Sequence, residues 1–135
     1  MSEIVVFDSS ILIHRLRANL FASRMSAISG LVRNSSVVLA ELWRGTSLGR
    51  DEDVLLALQR NYPVLTPTQN NWIESGQILA KIRKDHGYEP HKLRDLHFDV
   101  LIALTARSNG ARLITSNRAD FELIRSYRDF KLEVW

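Results

Sequence analysis

The chain reads as an α/β protein, a three-layer sandwich with a central parallel sheet of about five strands flanked by helices. Three observations predict this. Short apolar runs rich in β-branched residues recur along the whole length. Stretches with a helical apolar period separate them. The first run, Ile4-Val5-Val6-Phe7, is apolar at every position, as a strand buried on both faces is. Strict alternation of strand and helix requires crossover connections, which place helices on both faces of the sheet. No repeat, low-complexity tract or linker interrupts residues 1–135, so one domain is expected.

Taken in order, Ile4–Phe7 is the first strand. Asp8, Ser9 and Ser10 follow, and either Asp or Ser is a good N-cap for a helix running to about Arg17. Leu20, Met25, Ile28, Leu31 and Val32 suggest a second helix, broken at Asn34-Ser35. Ser36 to Leu39 is expected as the second strand, with Glu41 just after it at the start of a helix. Asp51 to Gln59 is helical, its acids well placed at the positive N-terminal end. Tyr62 to Leu65 is a third strand, and Pro63 suits its first residues or an edge.

Pro67-Thr68 leads into the longest helix, Gln69 to Asp85, ended by Gly87. His86 to Leu93 reads as a loop. Leu96 to Arg107 is a helix apolar nearly all round, with Asp95 as its N-cap or, alternatively, an auxiliary ligand. Arg112 to Thr115 is the fourth strand, Asn117 to Arg125 a short helix, and Asp129 to Val134 the last strand.

Composition excludes several classes. There are no cysteines, so disulfides, thiolate zinc sites and cysteine nucleophiles are out, and a reducing cytoplasmic setting is expected. No secretory leader pattern opens the chain, and no apolar run is long enough for a membrane span. The formal net charge is +3, from 18 Lys+Arg against 15 Asp+Glu. Lysine stands only at Lys81, Lys84, Lys92 and Lys131, and the other basic residues are arginine. Arginine pairs bidentately with phosphate or carboxylate, so RNA and an acidic protein partner are both open.

The chemistry lies in scattered acids. Asp8 ends the first strand, Glu41 follows the second, Asp99 lies in the apolar helix before the fourth, and Asn117 and Asp120 follow the fourth. Parallel strands share a carboxyl-end rim, and ligands bind outside it where strand order reverses. Four acids far apart in sequence are therefore expected to converge. Two unit charges about 4 Å apart repel by roughly 4 kcal/mol at an effective dielectric near 20, so the cluster calls for a cation. Oxygen ligands without His or Cys select Mg²⁺ or Mn²⁺. Each acid has a plainer explanation: Asp8 and Asp120 as helix caps, Glu41 as a first-turn residue complementing the helix dipole. Asp99 is hardest to explain away, because an unpaired charge among Leu96, Val100, Ile102 and Ala103 is costly.

At this point four stretches resemble the PIN-domain family, and within it the VapC-type toxins of toxin–antitoxin pairs. They are Val6-Phe7-Asp8-Ser9-Ser10-Ile11-Leu12-Ile13, Val38-Leu39-Ala40-Glu41-Leu42, Asp99-Val100-Leu101-Ile102-Ala103-Leu104-Thr105-Ala106, and Leu113-Ile114-Thr115-Ser116-Asn117-Arg118-Ala119-Asp120-Phe121. Their order and spacing match the family. The resemblance implies a five-stranded parallel sheet and a Mg²⁺- or Mn²⁺-dependent ribonuclease that hydrolyses RNA by in-line attack of water. It makes Asp8 and Asp99 primary metal ligands, Glu41 a ligand or water-orienting base, and Asp120 the ligand of a weaker second ion. The family's first polar slot after the fourth strand is an acid in some members and Asn117 here. Ser10 would support a ligand. The resemblance also implies a cognate antitoxin protein and a homodimer. Arg44, Arg107 and Arg118 are candidates for holding the RNA backbone, with surface solvation the competing reading for each.

Trp43 beside Glu41 is read as stacking on a base, packing on an antitoxin helix, or lying in the core or a dimer interface. None of His14, His86, His91 and His97 stands at zinc spacing. Two alternatives accompany the toxin reading: a PIN-type RNA-processing nuclease without an antitoxin, and a PIN-like module whose site is degraded at Asn117 and which only binds RNA or protein. A phosphatase with an aspartyl nucleophile is disfavoured, because the position two residues after Asp8 is Ser10.

Overall fold

The computed structural model describes residues 2–46, 49 and 51–135. Five strands form one sheet: β1 (Ile4–Phe7), β2 (Leu31–Ser35), β3 (Val64–Leu65), β4 (Arg112–Thr115) and β5 (Lys131–Val134). The order is β3-β2-β1-β4-β5, and every pair is parallel. Among the described residues seven helices flank it: α1 (Ser9–Ala18), α2 (Ala22–Ser26), α3 (Ser36–Arg44), α4 (Glu52–Asn61), α5 (Gln69–His86), α6 (Pro90–Ser108) and α7 (Arg118–Tyr127). The chain builds outward from β1 to β2 and β3, then returns to add β4 and β5 on the other side. The switch point lies between β1 and β4, where ligand crevices of open parallel sheets form.

The core sits on β1, β4 and the apolar part of α6. Val5, Val6, Leu113 and Ile114 are buried, as are Val100 to Ala106 on α6. Phe121 and Ile124 of α7 close the far edge.

Two expectations are corrected. Ser36–Leu39 is helix, not strand. Ser35 ends β2 and caps α3, its side chain accepting from the Val38 amide at 3.3 Å, and Val37, Val38 and Leu39 are buried on the helix. The strand lies five residues earlier, with Leu31, Val32 and Arg33 in register with Ile4, Val5 and Val6. Gly30 permits this. A Cβ there would lie 2.6 Å from the Glu3 carbonyl oxygen, which accepts from the Leu31 amide at 2.8 Å. The second helix therefore shrinks to Ala22–Ser26.

The second correction concerns α6. It starts at Pro90, which occupies the first turn where its missing N–H costs nothing, and Glu89 is the N-cap. Asp95 is consequently an interior helical residue, its carboxylate 3.7 Å from His91 one turn earlier. Asp99 lies near the middle of the helix rather than in its first turns. The longest helix before it is framed as expected. Thr68 and Asn71 form a reciprocal capping box, and Gly87 terminates it in the left-handed conformation at φ 65°.

Candidate active site

The site is built around Asp8. The backbone of β1 ends there, and the Asp8 amide donates to the Ile114 carbonyl at 2.9 Å. Asp8 occupies the N-cap position of α1, yet its side chain makes no capping bond. It is turned instead toward the switch point. Asp8 Oδ2 accepts from Ser10 Oγ and from Thr115 Oγ1, each at 2.8 Å. Both hydroxyls have their acceptor side filled from the loop after β4: Ser116 N–H donates to Ser10 Oγ at 3.1 Å, and Asn117 N–H to Thr115 Oγ1 at 2.9 Å. Two backbone amides thus orient two hydroxyls, which in turn fix one oxygen of a carboxylate that is 3% exposed. Asp8 Oδ1 lies on the side of Ser9.

Ser9 links the second acid. Its Oγ lies 3.5 Å from Asp8 Oδ1 and 3.4 Å from Glu41 Oε1. Glu41 reaches this point from inside α3, which begins at the carboxyl end of β2. Asp99 comes from α6. Asp8, Glu41 and Asp99 together with Ser9, Ser10, Ile13, Arg44, Asp95, Phe98 and Asn117 line an open cleft of about 320 Å³.

Burial and mutual repulsion both act on these acids. Burial and then the charge of Asp8 push the Glu41 carboxyl up to about 7, against the pull of Arg44 and the Ser9 hydrogen bond. Burial, then Asp8, Glu41 and Asp120, push Asp99 up to about 8, while Lys92 opposes the rise. Carboxylates crowded until they resist ionisation form a site whose repulsion a cation would relieve.

The donor set is all oxygen, so it suits Mg²⁺ or Mn²⁺ rather than zinc. Among the described residues, no three His, Asp or Glu side chains stand close enough together to hold a metal ion as they are. An open set still fits magnesium, which is commonly held through one or two carboxylates and keeps several waters. A cavity of about 230 Å³ between α1, α2 and β2, lined by Phe7, Leu12, Met25 and Val38 among others, has no carboxylate on its wall and cannot do this chemistry.

The remaining predicted residues divide. Arg44 lines the cleft, its guanidinium 5.3 Å from the centre of the Phe98 ring. Arg118 is exposed and paired with Glu122 one turn on, at 3.2 Å. Arg107 does not reach the rim. It lies eight residues beyond Asp99, about 12 Å along the helix axis, with Nε donating to the Asp129 carbonyl at 3.0 Å. The expectation of a rim position for Arg107 is therefore corrected. Asn117 caps α7, its side chain accepting from the Asp120 amide at 3.4 Å. Asp120 is not among the lining residues. Its Oδ1 accepts from Lys92 Nζ at 3.0 Å and its Oδ2 from Asn117 Nδ2 at 3.1 Å. Trp43 points away from the cleft, its indole N–H donating to Gln59 Oε1 at 2.6 Å. His97 packs between α5 and α6 against Trp72 and Ser75 Oγ, where burial lowers its pKa.

The structure adds hydrogen bonds from Thr115, Ser9 and Lys92 to the acids. A hydroxyl as the last residue of a strand beside the Asp8 strand was the available signal for Thr115. The spacing of seven from Lys92 to Asp99, two helical turns, was the signal for Lys92.

The model of the PIN domain matches residues 5–126. The chain belongs to the PIN-domain family. No curated protein matches it in sequence. Solved structures share the fold across nearly the whole chain. VapBC2 from Rickettsia felis, bound to a DNA fragment from its promoter, is 19% identical with a TM-score of 0.74, covering 98% of both chains. VapBC-5 from Mycobacterium tuberculosis is 19% identical with a TM-score of 0.64, again covering 98% of both. A toxin–antitoxin complex from Klebsiella pneumoniae is 21% identical with a TM-score of 0.61, covering 87% of this chain and 89% of that one. The PIN resemblance carried by the four motifs, and the five-stranded parallel sheet it implied, are borne out.

Proposed function

We propose that this PIN domain is a Mg²⁺- or Mn²⁺-dependent endoribonuclease and the toxin of a toxin–antitoxin pair. The observation that carries the reading is the convergence of Asp8, Glu41 and Asp99 on one cleft at the sheet's switch point, with Glu41 and Asp99 resisting ionisation there. These three carboxylates would hold the ion. Bound there, it supplies positive charge to the phosphate oxygens and acidifies water, as divalent ions do in phosphodiester hydrolysis.

The chain's own groups do the rest. Ser10 and Thr115 hold Asp8 through Oδ2 and keep its carboxylate from rotating. Glu41, linked to Asp8 through Ser9 Oγ, is placed to hold the ion or to orient the attacking water. Arg44 at the wall offers a guanidinium to the scissile or an adjacent phosphate. Asp95, Asn117 and Arg118 extend the rim along which RNA would run.

The toxin part of the reading is supported by fold neighbours that are toxin–antitoxin complexes. It includes a protein antitoxin, a homodimer and a cytoplasmic site of action. Among the described residues no helix is long and apolar enough to cross a membrane. The test is expression of wild type and Asp8→Ala in a bacterial host, with sequencing of newly formed RNA ends. Wild type should arrest growth and produce discrete new ends, and Asp8→Ala neither. Equal growth with unchanged RNA would overturn the toxin reading. Metal-dependent RNA cleavage by the purified chain without growth arrest would leave a nuclease that is no toxin.

A further inference from the structure

We propose that Lys92 is a built-in cation that takes the place of a second divalent ion, so that this site holds one metal ion. The inference rests on the metal-nuclease reading above and specifies its stoichiometry.

A two-ion site needs carboxylate oxygens on both sides of the reacting phosphate. Asp8, Glu41 and Asp99 supply one side. The other would have to be built between Asp99 and the residues that follow β4. There Asn117 offers a neutral amide. Asp120 offers a carboxylate whose two oxygens are both engaged, Oδ1 by Lys92 Nζ at 3.0 Å and Oδ2 by Asn117 Nδ2 at 3.1 Å. Lys92 stands two helical turns before Asp99 on α6, hence on the same face, and its charge acts on Asp99 as well as on Asp120. The ammonium therefore bears on the same two acids that a second ion would need.

The charge balance agrees. Asp8, Glu41, Asp99 and Asp120 carry four negative charges when ionised. Lys92 and Arg44 offset two, and the remainder is what one divalent ion neutralises. Asp95 is exposed beside His91, where solvent and salt screen it. A second divalent ion would have to break the Lys92–Asp120 pair and lose part of its own hydration, which magnesium gives up reluctantly.

The test is the number of Mn²⁺ ions bound per chain, measured on the purified full chain by titration calorimetry and electron paramagnetic resonance. Wild type should bind one. Lys92→Met should bind two, with the exchange-coupled spectrum of ions about 3.5–4 Å apart. Asp120→Asn should still bind one. Lys92 has a side-chain exposure of 39%, so methionine fits there, and melting without metal checks the fold. Lys92→Gln, which removes the charge but keeps polarity, should behave as Lys92→Met does. Two ions on wild type, or one on both Lys92 variants, would overturn the inference while leaving the nuclease reading standing. No ion on wild type would instead remove the nuclease reading, and this inference with it.

Discussion

Thr115 donates to Asp8 across 107 positions of sequence, Oγ1 to Oδ2 at 2.8 Å. The bond ties the ends of β4 and β1 together at the place where strand order switches. It joins a hydroxyl whose acceptor side is already filled by the Asn117 amide to a carboxylate held out of solvent. The contact is therefore directional. It holds the Asp8 carboxylate in one orientation, and it couples the loop carrying Asn117 to the acid at the centre of the site.

Removing that hydroxyl should act on stability and on metal affinity together. Thr115→Val keeps shape but leaves a buried carboxylate short of a donor and the Asn117 amide without its acceptor. Loss of such a partner costs about 1–3 kcal/mol. Urea unfolding of the metal-free protein should show a loss in that range, and Mn²⁺ affinity should fall as Asp8 gains freedom. Thr115→Ser should restore most of both. If Thr115→Val matches wild type in both measurements, the hydroxyl does not position Asp8.

The raised carboxylates make a prediction about pH. Glu41 moves from 4.5 to about 7 and Asp99 from 3.8 to about 8 on folding. The folded chain thus binds more protons than the unfolded chain between those values, so stability falls as pH rises. As far as these groups decide it, metal-free protein should be most stable below about pH 4 and should lose stability from there up to about pH 8. Half-buried groups remain partly screened by solvent, so the loss should be on the order of 1–2 kcal/mol. Saturating Mg²⁺ should reverse the trend, because it favours the ionised acids. At one hundred times its dissociation constant an ion adds about 2.7 kcal/mol. Asp99→Asn should flatten the metal-free profile and abolish most of the Mg²⁺ effect. A metal-free melting temperature that rises steadily from pH 5 to 8 would contradict the burial of these acids.

Much of this arrangement was legible in sequence, because it rests on local signals. Ile4–Phe7 with Asp8 behind it, and Arg112–Thr115 with a cap behind it, carry their own boundaries in apolar runs and polar stops. Glu41 lies at the same rim under either strand assignment: α3 starts at the end of β2, so a strand five residues earlier leaves its helix at the same edge. The error itself has a physical cause. Ser36-Val37-Val38-Leu39 buries three successive side chains, and so short an apolar run cannot distinguish a buried helical turn from a strand. The start of α6 was hidden because Pro90 reads as a loop residue unless it is placed at N1. That concealed the helical phase linking Lys92 to Asp99. The Thr115–Asp8 bond depends on which strands are neighbours, which no local pattern reports.

The relocated β2 can be tested at a single glycine. In the observed register a Cβ on residue 30 would meet the Glu3 carbonyl oxygen at 2.6 Å and a Val5 methyl at 3.2 Å. The first neighbour is backbone already engaged with the Leu31 amide, so it cannot move without parting β1 from β2. Gly30→Ala should therefore destabilise the fold by roughly 1–3 kcal/mol, the range for overpacking a tight contact. Had Ser36–Leu39 been the strand, residue 30 would lie in a helix, and alanine there would stabilise by up to about 1 kcal/mol. Gly76 is the control: it lies inside α5, and a Cβ there would have no atom within 4 Å. Gly76→Ala should raise stability by about that amount. Denaturant midpoints of the two variants, compared with wild type, should move in opposite directions. A shift of both toward higher stability would reject the register of β1 with β2.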